Sequence, residues 1–236
     1  MRLKRIATSI KADFLFQLKH GFYYVYIILA LMYLIILSQF NQDIAKIILP
    51  IVIYIDPAVL GLFFIGGIVL LEKEQGILSL LYITPLRVWE YILSKLVTLT
   101  AISTLAGVAI AYLSYSGKIN IFLLLIGIIL TAVCFTLLGF IIATKAKSVN
   151  HYIVRVAPAM ALFSLPCFSL IPNSIVPKFA DKLLMVIPSV AALKITLAAF
   201  LPYSNNEIVF CIIWLLVFDI LLLIKTKDLL EKNIAS

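Results

Sequence analysis

Side chains able to do chemistry are sparse in this sequence, and their spacing argues against most of the chemistry they could do. Eleven Asp and Glu residues, two His and three Cys are spread over 236 positions. A transferase or hydrolase working at a membrane surface would gather Asp, His or Ser near one interface, and the acids here are scattered. His20 and His151 have no partner at metal-ligand spacing, so no metal is expected. Cys134, Cys167 and Cys211 stand alone in apolar runs, without CxxC spacing, and read as small packing residues. No G-x-x-x-x-G-K-[ST] phosphate loop is found: Gly117-Lys118 is followed by Ile119 and lacks the earlier Gly. The run ending at Asp219 has the look of a Walker B strand. It lies in apolar sequence about six residues before Lys225, and reads as a membrane-helix end whose acid snorkels or pairs at the interface. Two places remain: Asp56-Pro57, a carboxylate in an apolar stretch, and the charged segment 72–95.

The elements that must position these residues are set by composition. The chain is 64% hydrophobic and 13% charged, with mean hydropathy +1.17. Soluble domains run near about 45–50% apolar, so a lipid solvent is required. The apolar runs approach helix-spanning length rather than the alternating ten-residue strands of an outer-membrane barrel. The expected fold class is an all-α polytopic membrane protein, a single transmembrane domain over 1–236. Six spans are expected at about 22–40, 47–71, 96–115, 121–144, 154–171 and 207–224. The first span carries no small-residue cleavage site and is expected to remain as a membrane helix. Residues 1–20 place Leu3, Ile6, Ala7, Ile10, Phe14 and Leu18 at helical spacing, with Lys4, Arg5 and Lys11 elsewhere, which predicts an amphipathic helix on the membrane surface. The segment 172–206, divided by Pro172, Pro177, Pro188 and Pro202, is as apolar as a span. It is expected either to form short outer-leaflet helices packed on the bundle or to add two short spans.

Orientation follows from the basic residues. Counted over the expected loops, 14 of the 19 Lys and Arg fall on the side of the two termini. That side is therefore expected to be cytoplasmic, in an inner cell membrane. The net charge of +8 is explained in the same way, and no nucleic-acid partner is expected. Glycines 61, 66 and 67 in the second span, and 127 and 139 in the fourth, allow close helix approach, and span two is a plausible contact with a second copy.

On this topology the segment 72–95 is cytoplasmic. Its first half predicts a short helix after Glu72 and Glu74, hinged at Gly76, with Ile77, Leu80 and Leu81 on one face. Thr84 reads as an N-cap and Pro85 as the first residue of a second helix, which carries Trp89 and Tyr91 at headgroup level into span three. Such an element is either a docking surface for another protein or an ordinary interfacial loop helix. Asp56 likewise has two readings. It lines a substrate pathway favouring cationic compounds, with Pro57 opening a kink, or it caps a span that starts there.

The pattern Glu72-Lys-Glu-x-Gly76, then Leu80-Leu81, Thr84-Pro85-Leu86, Glu90-Tyr91 and a closing Lys95 resembles the cytoplasmic loop after the second span in ABC-2 type transporter permeases. The six-span layout, the amphipathic N-terminal helix and the Pro-containing segment before the last span match over essentially the whole chain. Ile77 departs from the Thr that many members carry after the Gly. The runs 21–26 and 56–67 look like the subgroup of drug or fluoroquinolone export permeases. The resemblance implies a permease that passes substrate, working as a pair with a second copy or a related permease. It implies a separate ABC ATPase subunit that docks around Glu72, Glu74, Gly76, Ile77, Leu80, Leu81, Thr84 and Pro85 and carries the ATP and Mg; no cofactor is expected in this chain. Two other readings stand beside it: a non-transporting immunity or sensor protein that binds a toxin or peptide, and a membrane-embedded lipid-modifying enzyme.

Overall fold

The computed structural model describes residues 2–77, 86–164, 184 and 186–235. Among these the chain is helical, without strands. Helix α1 is Arg2–Lys19, α2 Phe22–Leu37 and α3 Gln42–Val59. A π-turn at Leu60–Phe64 joins α3 to α4, Ile65–Glu74. Then follow α5 Val88–Ser114, α6 Ile121–Thr144, α7 Val149–Ser164, α8 Pro188–Leu197 and α9 Asn205–Ala235. The protein is a multi-pass membrane protein. Among the described residues, four helical stretches are long and apolar enough to cross a bilayer: Gln42–Glu74, Val88–Ser114, Ile121–Thr144 and Asn205–Lys232. The pair Lys4–Lys19 and Phe22–Leu37, bent by 69°, makes a fifth if taken as one unit. Part of the expected span 154–171, and most of 172–187, lie outside the described residues.

Helix α1 carries its amphipathic pattern in membrane fashion. Phe14, Leu15 and Leu18 are exposed, while Asp13 and Gln17 are buried against the bundle. The apolar stripe thus faces outward and the polar pair inward, the reverse of a helix on a soluble core. The chain reverses at Gly21, whose φ of 81° places it in the left-handed region open to glycine.

Helix α3 starts at Asn41, whose side chain accepts from Ile44 N at 3.0 Å. It continues through Pro50 and Pro57. Pro57 removes a backbone donor, and the widened π-turn follows three residues later. One carbonyl of that turn, Leu62 O, accepts from the Tyr152 hydroxyl of α7. At the turn Gly61 lies against the backbone of α6: a Cβ there would stand 2.6 Å from Thr136 N. Across the contact, a Cβ on Gly139 would stand 2.6 Å from Gly61 O. Gly66 is covered by the Tyr152 ring. Gly61 and Gly66 therefore serve contacts within this chain, which corrects the expectation that they meet a second copy.

Helix α6 is the hub, touching α3, α4, α5, α8 and α9. One core cluster surrounds Leu70, Ile92, Phe140 and Leu222. A second, around Leu49, Ile53, Ile110 and Ile128, fills the other half. The tight connection between α5 and α6 closes with Asn120, which caps α6 by accepting from Leu123 N at 3.3 Å and donates its own N–H to Ala199 O at 2.9 Å. Short helix α8, started by Pro188, is buried on all sides. It belongs to the segment expected to pack on the bundle.

Candidate functional site

The end of the bundle holding Glu72, Arg87, Lys145 and Arg155 is rich in basic residues, and its polar side chains meet inside it rather than on its surface. Three elements build the junction. Helix α1 lies across this end and presents Asp13 and Gln17, one turn apart. The last turn of α4 presents Glu72. The first turns of α5 present Tyr91, Lys95 and Thr98, which share one face at i, i+4 and i+7.

Lys95 ties them together. Its ammonium pairs with Glu72 Oε1 at 2.5 Å and with Asp13 Oδ1. The second oxygen of Glu72 accepts from the Tyr91 hydroxyl at 2.6 Å. The second oxygen of Asp13 accepts from Thr98 Oγ1 at 2.5 Å and from Gln17 Nε2 at 2.7 Å. Gln17 also donates to Thr98 Oγ1 at 2.8 Å. The ammonium stands 5.0 Å from the Tyr91 ring centre and 5.7 Å from that of Phe16, which adds cation–π attraction. One cation faces two carboxylates, and every one of these carboxylate oxygens has a donor. That satisfaction is what makes buried charge tolerable.

A second link lies beside it. Arg87 has φ −86° and ψ 151°, so no helix continues through it, and it is the N-cap of α5. Its N–H donates to Glu90 Oε2 at 2.9 Å, while Arg5 of α1 reaches Glu90 Oε1 at 3.1 Å. The helix entering span three thus begins at Val88, not at Pro85 as the Thr-Pro signal predicts. Tyr91 points into the junction, where Glu72 accepts from its hydroxyl.

Of the candidate coupling residues, Glu72 is buried and Glu74 exposed. Gly76 ends α4 with φ 71°, a left-handed stop that favours glycine. Ile77 is half-buried. Leu80, Leu81, Thr84 and Pro85 lie outside the described residues. The sequence motif included Lys95 only as a closing residue and passed over Asp13. The signal for Asp13 was present: an acid and an amide at 13 and 17, off the apolar stripe of α1.

Asp56 lies in the interior of α3, fourteen residues after the first turn begins, and only 2% of it is exposed. Since the cap is Asn41, the capping reading of Asp56 is set aside. Its Oδ2 accepts from the Tyr26 hydroxyl of α2. Asp219 does not reach Lys225. It is buried against α6 beside the Cys134 thiol, and its oxygens have no O–H or N–H donor among the described residues. Nor does any group of three or more His, Cys, Asp or Glu among these residues converge as a metal site.

A family model described as the fluoroquinolones export permease protein family matches residues 4–236. Two curated relatives, each named a fluoroquinolones export permease protein, come from Mycobacterium tuberculosis strains CDC 1551 / Oshkosh and ATCC 25618 / H37Rv. Each is 27% identical over 164 residues, which span 70% of this chain and 69% of the relative.

Proposed function

The chain belongs to the fluoroquinolones export permease protein family, and from that membership we propose that it is the membrane-spanning subunit of an ATP-driven ABC exporter. It passes an amphipathic, drug-like compound outward. A separate ATPase subunit, holding the ATP and Mg, docks around Glu74, Gly76, Ile77, Leu80 and Leu81, and the permease pairs with a second copy or a related chain. Six spans with both termini cytoplasmic put the basic end of the bundle inside the cell.

The observation that carries this reading is the junction at Lys95. A push on the segment after α4 must reach the spans through something stiff. Glu72 sits in the last turn of α4, just before that segment, and Lys95 on α5 fastens it to α5 and, through Asp13, to α1. Asp56, inside the bundle and bonded to Tyr26, is the proposed acid of the substrate pathway.

The test is co-expression with a candidate ATPase, purification through a tag on this chain, and assay of fluoroquinolone uptake into inside-out vesicles. ATP-dependent accumulation with a co-purifying ATPase supports the exporter. A chain that binds its target and protects cells with no ATPase attached favours the immunity reading.

A further inference from the structure

A groove of about 840 Å³ runs between α1, α2 and α5. Its walls are Phe14, Tyr23, Ile27 and Leu31, and its floor on α5 includes Ala101 and Ala109. From Val97 to Ala109 it follows α5 for twelve residues, or about 18 Å at 1.5 Å per residue. That is close to the depth of one hydrocarbon leaflet, about half of a 30 Å core. The rims are open sideways: Ile27, Leu31 and Leu105 are each more than half exposed. The end near Thr98 meets Lys11 of α1, an exposed cation that makes no ion pair among the described residues. The neighbouring carboxylates are already engaged, Asp13 by Lys95 and Asp56 by Tyr26.

We infer that this groove is a binding site for one anionic phospholipid of the inner leaflet, with an acyl chain along α5 and the phosphate on Lys11. Four features choose this occupant: a single-leaflet length, an almost wholly apolar wall, a sideways opening into the bilayer, and one free cation at headgroup depth. A seated lipid would brace α1 against α5, beside the junction at Lys95.

The test is native mass spectrometry of the full chain in detergent, given phosphatidylglycerol or phosphatidylcholine of matched chains. The wild type is expected to retain one phosphatidylglycerol under activation that strips phosphatidylcholine. Lys11→Gln should cut that retention about fivefold, the effect of one basic residue at an anionic surface, and Lys11→Arg should restore it. Ala101→Phe, which puts a ring into the groove from an exposed position, should abolish retention of either lipid. Equal retention of both lipids, or retention indifferent to Lys11→Gln, overturns the assignment. So does a Leu105→Cys chain that oxidises to a disulfide dimer in membranes, which would make the groove an interface between copies. Displacement of phosphatidylglycerol by a fluoroquinolone overturns it as well, because the groove would then be a substrate site.

Discussion

Lys95 of α5 and Glu72 of α4 form an ion pair with Nζ and Oε1 2.5 Å apart, with neither side chain more than 5% exposed. Glu72 therefore acts inward, on the bundle, while its neighbour Glu74 faces outward. Removing the cation alone leaves Asp13 and Glu72 buried and uncompensated. Breaking a buried pair in this way typically costs about 3–5 kcal/mol. Lys95→Met is expected to lower the yield and the thermal midpoint of the purified chain clearly, measured by fluorescence-detected size exclusion after heating.

Neutralising all three partners should separate stability from coupling. The triple variant Asp13→Asn, Glu72→Gln, Lys95→Met leaves no charge at the junction, so the penalty of an uncompensated buried charge is absent. It is expected to recover most of the thermal midpoint lost in Lys95→Met. A triple variant as unstable as the single one would show that shape and hydrogen bonding, not charge, hold the junction.

The glycine contact between α6 and the π-turn gives a sharp contrast. A Cβ on Gly61 would meet backbone atoms of Phe135 and Thr136 at 2.6–2.8 Å, which cannot swing aside. On Gly67 the nearest neighbour is the Phe22 ring at 3.4 Å, ordinary contact. Gly61→Ala is expected to cost about 1–3 kcal/mol by overpacking, and Gly67→Ala close to nothing, by the same heating assay. Equal tolerance at both positions would deny the close approach.

Asp56 yields a test of the pathway. Tyr26→Phe removes the phenol that Asp56 accepts from and should destabilise the chain by about 1–3 kcal/mol. Asp56→Asn, if the acid lines the route, should reduce export of cationic compounds more than of neutral ones. An equal loss for both classes would make Asp56 a purely structural link between α2 and α3.

Much of this was legible in the sequence, for reasons that differ by element. The long apolar runs announce themselves through composition, so α6 and the body of α5 fall close to where they are expected. The start of α5 does not, because Thr84-Pro85 is a strong local signal while the Arg87–Glu90 cap depends on Arg5, eighty-two residues upstream of Arg87. The junction was half visible. Glu72 and Lys95 stood in the motif, but Asp13 joins them only through the 69° bend that lays α1 across the bundle. No periodicity in residues 1–20 reports that long-range pairing. Asp56 was misread as a possible cap because Asp-Pro starts helices in general. Here the helix already runs from Asn41, and Tyr26 supplies the partner that lets the acid stay inside.

The proposed topology rests on the charge bias and is directly measurable. A cysteine at Lys118 is expected to react with a membrane-impermeant maleimide added outside cells, and one at Lys147 only after lysis. With Cys167 replaced by Ser, the remaining Cys134 and Cys211 are buried and give little background. The opposite pattern would invert the orientation and place the junction at Lys95 on the outer side.

The proposed coupling route runs from a partner ATPase to the spans through the junction at Lys95. The direct measurement is the number of fluoroquinolone molecules accumulated per ATP hydrolysed, by proteoliposomes holding this chain and its ATPase, for the wild type, the neutral triple variant, Leu80→Asp and Glu74→Gln. The triple variant is expected to keep its ATPase bound and hydrolysing while the ratio falls about tenfold, equivalent to roughly 1.4 kcal/mol of lost coupling. Leu80→Asp should weaken co-purification of the ATPase more than Glu74→Gln, since charging an apolar anchor outweighs loss of an exposed pair. An unchanged ratio in the triple variant, with the ATPase still bound, would show that the drive reaches the spans by another route than Lys95.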